Sequence, residues 1–203
     1  MSRAAEGRKE KGERKVEKKL AVLFPGTGYT CGEPLMQKIA EHFLKAGYEV
    51  VRLDFSAVPF AELAGLEEAA GRVRPLVLEQ LGGIDRHAYR QTVFVSKSLG
   101  TVCAGRLEEE WGMPVHQLYL TPLPETLDCI RETSRVAGMV IGTQDRFMTA
   151  EALQAFCAGR GIPCLIVPGT GHSLKYAEPG AAEALEQKIL ALCGGLTAAE
   201  DRE

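Results

Sequence analysis

Ser98 sits in the run Ser96-Lys97-Ser98-Leu99-Gly100, behind the apolar stretch Thr92-Val93-Phe94-Val95 and ahead of apolar positions at Leu99, Val102, Cys103 and Leu107. This pattern predicts a strand, a tight turn and a helix. Small residues two before and two after the serine let strand and helix approach closely, so Ser98 is lifted out of the backbone as a candidate nucleophile. The motif departs from G-x-S-x-G at its first position, where Ser96 stands for glycine, and glycine-flanked serines also occur in ordinary turns.

Two later strands end in residues that such a serine needs. Val136 to Ile141 empties into Gly142-Thr143-Gln144-Asp145, which places a carboxylate just beyond the strand. Cys164-Leu165-Ile166-Val167 empties into Pro168-Gly169-Thr170-Gly171-His172, a loop able to position a histidine. A serine hydroxyl is a weak nucleophile at neutral pH, so His172 would take its proton and later return it to the leaving group, while Asp145 holds the imidazole tautomer. Each residue also has a plainer reading. Asp145 could cap the helix expected over Thr149 to Gly159, and His172 could be a solvated turn residue.

The order serine, acid, histidine, each at the C-terminal end of a predicted strand, resembles the α/β-hydrolase superfamily over nearly all of residues 20–193. Its small lidless members, the esterase and dienelactone hydrolase-like group, look nearest. The resemblance implies a doubly wound, six-stranded parallel sheet in the order 2-1-3-4-5-6, the first two strands of the full eight-stranded sheet being absent. It also implies an oxyanion hole. One donor is the backbone N–H of Leu99, after the nucleophile, and the other is that of Thr27, with Gly28 as the alternative. Many members carry His-Gly in this loop, whereas Pro25 stands at the histidine position here.

The same loop supports a rival. Gly26, Gly28 and Gly32 follow a strand, and Asp54 closes the next one, where a dinucleotide-binding fold would place its ribose acid. That reading leaves Ser98, Asp145 and His172 without a role, and Asp54 can equally bond local backbone groups.

The elements that must position these residues alternate along the chain. Strands are expected at Leu20 to Phe24, Glu49 to Leu53, Thr92 to Val95, Val115 to Leu120, Val136 to Ile141 and Cys164 to Val167. Helical periodicity appears at Pro34 to Ala46, Glu62 to Leu81, Leu99 to Trp111, Glu125 to Glu132, Thr149 to Gly159 and Glu178 to Cys193. Such βα alternation forces a parallel sheet with right-handed crossovers and helices on both faces. Ligands of such sheets bind at the carboxyl ends of the strands.

The 203 residues, 45% hydrophobic and 25% charged, suit one compact core, expected over 20–195. Residues 1–19 hold eight Lys or Arg and four Glu, a net of +4 against −3 for the whole chain, so the remainder carries −7. The first segment reads as a disordered charged tail and 196–203 as a flexible one. An acidic body is no nucleic-acid surface. No apolar run of about 18 residues would span a membrane, and no leader pattern is present. The six cysteines lack metal-ligand spacing and read as buried thiols of a reducing compartment, the cytoplasm. Cys31 stands apart because it lies in the proposed oxyanion loop. No cofactor or metal is expected, and a homo-oligomer is left open.

Only Thr121-Pro122-Leu123-Pro124 connects the fourth strand to its helix. Larger hydrolases insert a lid there, so an open cleft is expected, accepting a small ester, thioester or amide. Tyr29, Lys97, Leu123, Phe147 and Met148 are the expected cleft residues, with Lys97 either favouring an anionic substrate or simply solvated. Acyl transfer and a non-catalytic binding module are the alternatives on the same fold.

Overall fold

The computed structural model describes residues 18–198. Six strands, β1 (Lys18–Phe24), β2 (Glu49–Arg52), β3 (Tyr89–Lys97), β4 (His116–Leu120), β5 (Arg135–Gln144) and β6 (Cys164–Gly171), form one parallel sheet in the order β2-β1-β3-β4-β5-β6. The helices are α1 (Pro34–Lys45), α2 (Leu66–Leu81), α3 (Leu99–Trp111), α4 (Pro124–Asp128), α5 (Ala150–Ala158) and α6 (Pro179–Ala198).

Side-chain alternation along the strands divides the core into layers. Ala21, Leu23, Val93 and Val95 face α1 and α6, where Leu35, Ile39, Phe43, Leu185 and Ile189 close over them. Leu20, Val22, Phe24 and Phe94 face the other way, onto Val73 and Val77 of α2 and Leu99, Ala104 and Leu107 of α3. Further along that face, Tyr119, Met139 and Ile141 meet Leu153 and Cys157 of α5. With both faces covered, the central strands read as continuous apolar runs.

Element limits differ from the sequence reading in instructive places. The helix expected from Glu62 instead begins at Leu66, after a 3-10 turn at Phe60–Glu62, because Gly65 takes φ 148 and interrupts the periodicity. The helix expected to reach Glu132 ends at Asp128, where Cys129 and Ile130 donate to Thr126 and Leu127 and tighten the chain into i→i−3 turns. β5 and β6 extend through residues expected as loops, because Gln144 pairs with Gly171. Lys18 and Lys19 belong to β1, and α6 continues to Ala198 with Leu196 buried, so the folded body starts before residue 20 and runs past residue 195, the limits expected for it. The rest of the two expected tails, 1–17 and 199–203, lies outside the described residues.

Candidate active site

The site forms at the carboxyl ends of β3, β5 and β6. Ser98 sits between β3 and α3 at φ 53, a left-handed conformation unusual for a residue with a side chain. Its N–H donates to Leu120 O (3.1 Å), and its carbonyl accepts from the Thr101 N–H (2.8 Å) and Oγ (2.6 Å). The turn needs Gly100. A Cβ there would lie 2.5 Å from Pro25 O and 2.7 Å from Phe24 O, so only glycine lets α3 start this close to the end of β1. Ser96, at the first motif position, is fully buried and its hydroxyl finds no partner among the described residues.

Sheet register delivers the other two groups. Gln144 and Gly171 pair across β5 and β6, so the residues that follow them, Asp145 and His172, leave the sheet side by side. Gly142 makes this possible, since a Cβ there would lie 2.2 Å from Thr170 O. The Ser98 hydroxyl donates to His172 Nε2 (2.7 Å), and His172 Nδ1–H donates to Asp145 Oδ2 (2.8 Å). Asp145 Oδ1 accepts from the Phe147 N–H (2.9 Å). Burial raises the carboxyl pKa, but the bonds from His172 and from the Phe147 and Met148 N–H groups outweigh it, leaving Asp145 below the ordinary carboxylate range. An ionised carboxylate only accepts, which fixes the imidazole tautomer with its free Nε2 lone pair toward the serine. Sequence reasoning named these three residues; the structure joins them in one hydrogen-bonded chain.

The remaining expected residues divide. Thr27 and Gly28 are exposed on the loop after β1, whose Gly26 is so close to the serine that a Cβ would lie 3.0 Å from Ser98 Cβ. Leu99 opens α3, so its N–H has no intrahelical acceptor. Phe147 is 45% exposed and meets the His172 ring edge-on at 4.5 Å. Tyr29, Leu123 and Met148, expected in the cleft, are buried, Tyr29 in the layer under α1 and α6 and Met148 in the layer under α5. Cys31 is tucked under the loop, its thiol donating to Leu23 O (3.6 Å) and pushed up to about 12 by burial, so it is a protonated core thiol and not a reactive one.

Lys97 departs furthest from expectation. It is 1% exposed, and its ammonium points beneath the site to His172 O (2.7 Å) and Thr121 Oγ1 (2.9 Å). It is neither solvated nor placed to meet a substrate. The physical reason is strand parity: Lys97 follows Val93 and Val95 on the face covered by α1 and α6.

Asp54 binds locally, accepting from the Ser56 N–H and Oγ, both at 2.9 Å. The glycine-rich loop of the dinucleotide rival is the one packed on the serine. Among the described residues no cluster of His, Cys, Asp and Glu could hold a metal ion, and no helix is long and apolar enough to cross a membrane.

No protein-family model matches the chain, and no curated protein matches it in sequence. Solved structures do match in three dimensions. A putative hydrolase of the alpha/beta superfamily from Xanthomonas campestris superposes with a TM-score of 0.63 at 18% identity, covering 87% of this chain and 97% of that one. An esterase from Pyrococcus furiosus gives 0.64 at 14% identity, with 89% and 82% covered. Est1E from Butyrivibrio proteoclasticus, solved with ferulic acid bound, gives 0.63 at 15%, with 88% and 90% covered. The chain has the α/β-hydrolase fold. At these identities the likeness concerns the fold, and the chemistry rests on this chain's own residues.

Proposed function

We propose that this protein is a serine hydrolase that cleaves a small ester, thioester or amide through an acyl-enzyme intermediate. The observation that carries the reading is the continuous chain from Ser98 Oγ to His172 to Asp145, with the serine held in a strained turn. In this mechanism Ser98 Oγ attacks the substrate carbonyl while its proton passes to His172 Nε2. The imidazolium is stabilised by Asp145. The developing oxyanion lies before the Leu99 N–H at the start of α3, with the Thr27 N–H as second donor and Gly28 as the alternative. His172 then protonates the leaving group. A water, deprotonated by the same imidazole, attacks the acyl carbonyl and frees Ser98.

Substrate size follows from the connection after β4, where Thr121-Pro122-Leu123 lead directly into α4 and Leu123 is buried. Beyond Phe147 little apolar wall is offered to a long acyl chain. Each methylene gains about 0.8 kcal/mol only while it is buried, so kcat/KM should be greatest for acyl groups of about two to four carbons.

The test is a fluorophosphonate probe followed by peptide mapping, together with a nitrophenyl ester series of increasing acyl length. Ser98 should be labelled and Ser98→Ala should not. Labelling that survives this substitution places the nucleophile elsewhere, and a maximum at long acyl chains refutes the open cleft. Acyl product on an added alcohol would mark a transferase; absence of both labelling and turnover would leave a binding module.

A further inference from the structure

We propose that Lys97 is a positioning residue, whose buried ammonium holds the main chain of His172 and so fixes the imidazole between Ser98 and Asp145. The inference rests on the hydrolase reading for the role of His172, but the geometry behind it is independent of any substrate.

An ammonium has three donors. Here Nζ donates to His172 O (2.7 Å) and to Thr121 Oγ1 (2.9 Å), and it lies 4.5 Å from the centre of the Tyr29 ring. The amine therefore ties together the end of β4, the loop after β1 and the histidine itself, from a residue adjacent to the nucleophile. The histidine needs such a tie. Its approach, Pro168-Gly169-Thr170-Gly171, is held at Pro168 by the Tyr176 hydroxyl and at Gly169 by Thr143, while Leu174 N donates to Gly171 O (3.0 Å). Lys97 supplies a contact to the His172 peptide itself.

Two further features separate this arrangement from ordinary packing. Burying a charge is costly unless every donor is matched, and an apolar residue of similar volume often serves stability equally well or better. Burial pulls the Lys97 pKa down to about 8 against the opposing pull of Asp145, so the charge is kept at a cost in stability. Backbone strain is also concentrated here. The non-glycine residues with positive φ among the described residues are Ser98 (φ 53), Thr121 (φ 44) and Leu174 (φ 55). These are the nucleophile, the hydroxyl partner of the amine, and the residue closing the histidine turn. A β-branched residue such as Thr121 adopts this conformation only where its surroundings impose it.

The test compares wild type with Lys97→Met, which keeps the volume and removes the amine, and with Lys97→Ala in the presence and absence of propylammonium. Three readouts are needed: kcat and KM on a short nitrophenyl ester, melting temperature, and the low-field proton resonance of the His172 Nδ1–H bond to Asp145. Lys97→Met should melt no lower than wild type, lose about 10- to 100-fold in kcat with KM within about twofold, and shift or broaden the resonance. Propylammonium should restore kcat to Lys97→Ala, and tetramethylammonium, which has no N–H, should not. This rescue reads the same role if Lys97→Met fails to fold. Wild-type kcat and an unmoved resonance in Lys97→Met would overturn the proposal, as would an absence of rescue. Failure of the hydrolase reading looks different: wild type would neither take up the fluorophosphonate at Ser98 nor turn over ester. The resonance needs no turnover and would then decide the positioning role by itself.

Discussion

Two aspartates stand just past the carboxyl ends of parallel strands, Asp54 after β2 and Asp145 after β5, and locally they do the same thing. In each, Oδ1 accepts the N–H of the residue two positions on, Ser56 or Phe147, at 2.9 Å. The difference lies in the second oxygen. Asp54 Oδ2 accepts from the Ser56 hydroxyl and stays exposed, whereas Asp145 Oδ2 accepts from His172, with no side-chain exposure. What decides the outcome is the neighbouring strand. Among the described residues β2 is an edge strand paired with β1 alone, while β5 lies beside β6, which brings His172 alongside. An acid becomes part of a site because of the register of the next strand, which its local sequence does not contain.

Substituting each acid breaks the comparison most directly. Asp145→Asn removes the carboxylate that fixes the tautomer and stabilises the imidazolium, and kcat on a short ester should fall by about 10²- to 10⁴-fold. Asp54→Asn should leave kcat within about twofold. Steady-state kinetics on both variants decides the matter. The reverse pattern would place the acid on β2.

Glycine substitutions sharpen the role of register. Gly142→Ala would put a methyl group 2.2 Å from Thr170 O and force β6 away from β5, at a cost of about 1–3 kcal/mol or more, with loss of the Asp145–His172 contact. Gly28→Ala, on the loop after β1, meets nothing within 4 Å and should leave the melting temperature nearly unchanged. Thermal melts of the two variants measure this. Equal destabilisation would mean that close strand approach does not align the pair.

A smaller effect is expected from the charge beneath His172. The folded pKa of Lys97, about 8, lies below the ordinary 10.5. Between these pH values the unfolded chain binds a proton that the native state does not, so this group makes stability rise with pH across that window, by up to about 3 kcal/mol. Below about pH 8 the full penalty of burying the charge remains. The groups facing the amine are His172, Tyr29, Asp145, Glu33 and Lys175. Unfolding of wild type and Lys97→Met, compared at pH 7 and pH 10, should show the rise in wild type only. The same pH dependence in both would assign it to other groups.

The βα alternation, the elbow at Ser98 and the loops carrying Asp145 and His172 were legible in the chain because they are local. Apolar runs set the strands, and the small residues Ser96 and Gly100 allow the close turn. Misread limits have local causes too, such as Gly65 interrupting the expected helix and the tight turns after Asp128. Lys97 could have been placed as well, since it continues the buried parity of Val93 and Val95 on a strand covered on both faces. A lysine at a strand end invites the solvated reading, and nothing in the sequence says that the main-chain carbonyl of residue 172 will be there to receive it. By itself, then, the sequence determined the strand and helix alternation and the residues at the carboxyl ends, through periodicity and turn chemistry. Only the tertiary structure decided which acid meets the histidine, which expected cleft residues are buried, and what the lysine holds. Those outcomes depend on strand register and on approaches between residues 27 to 75 positions apart in the chain, and side-chain type along the chain does not encode them locally.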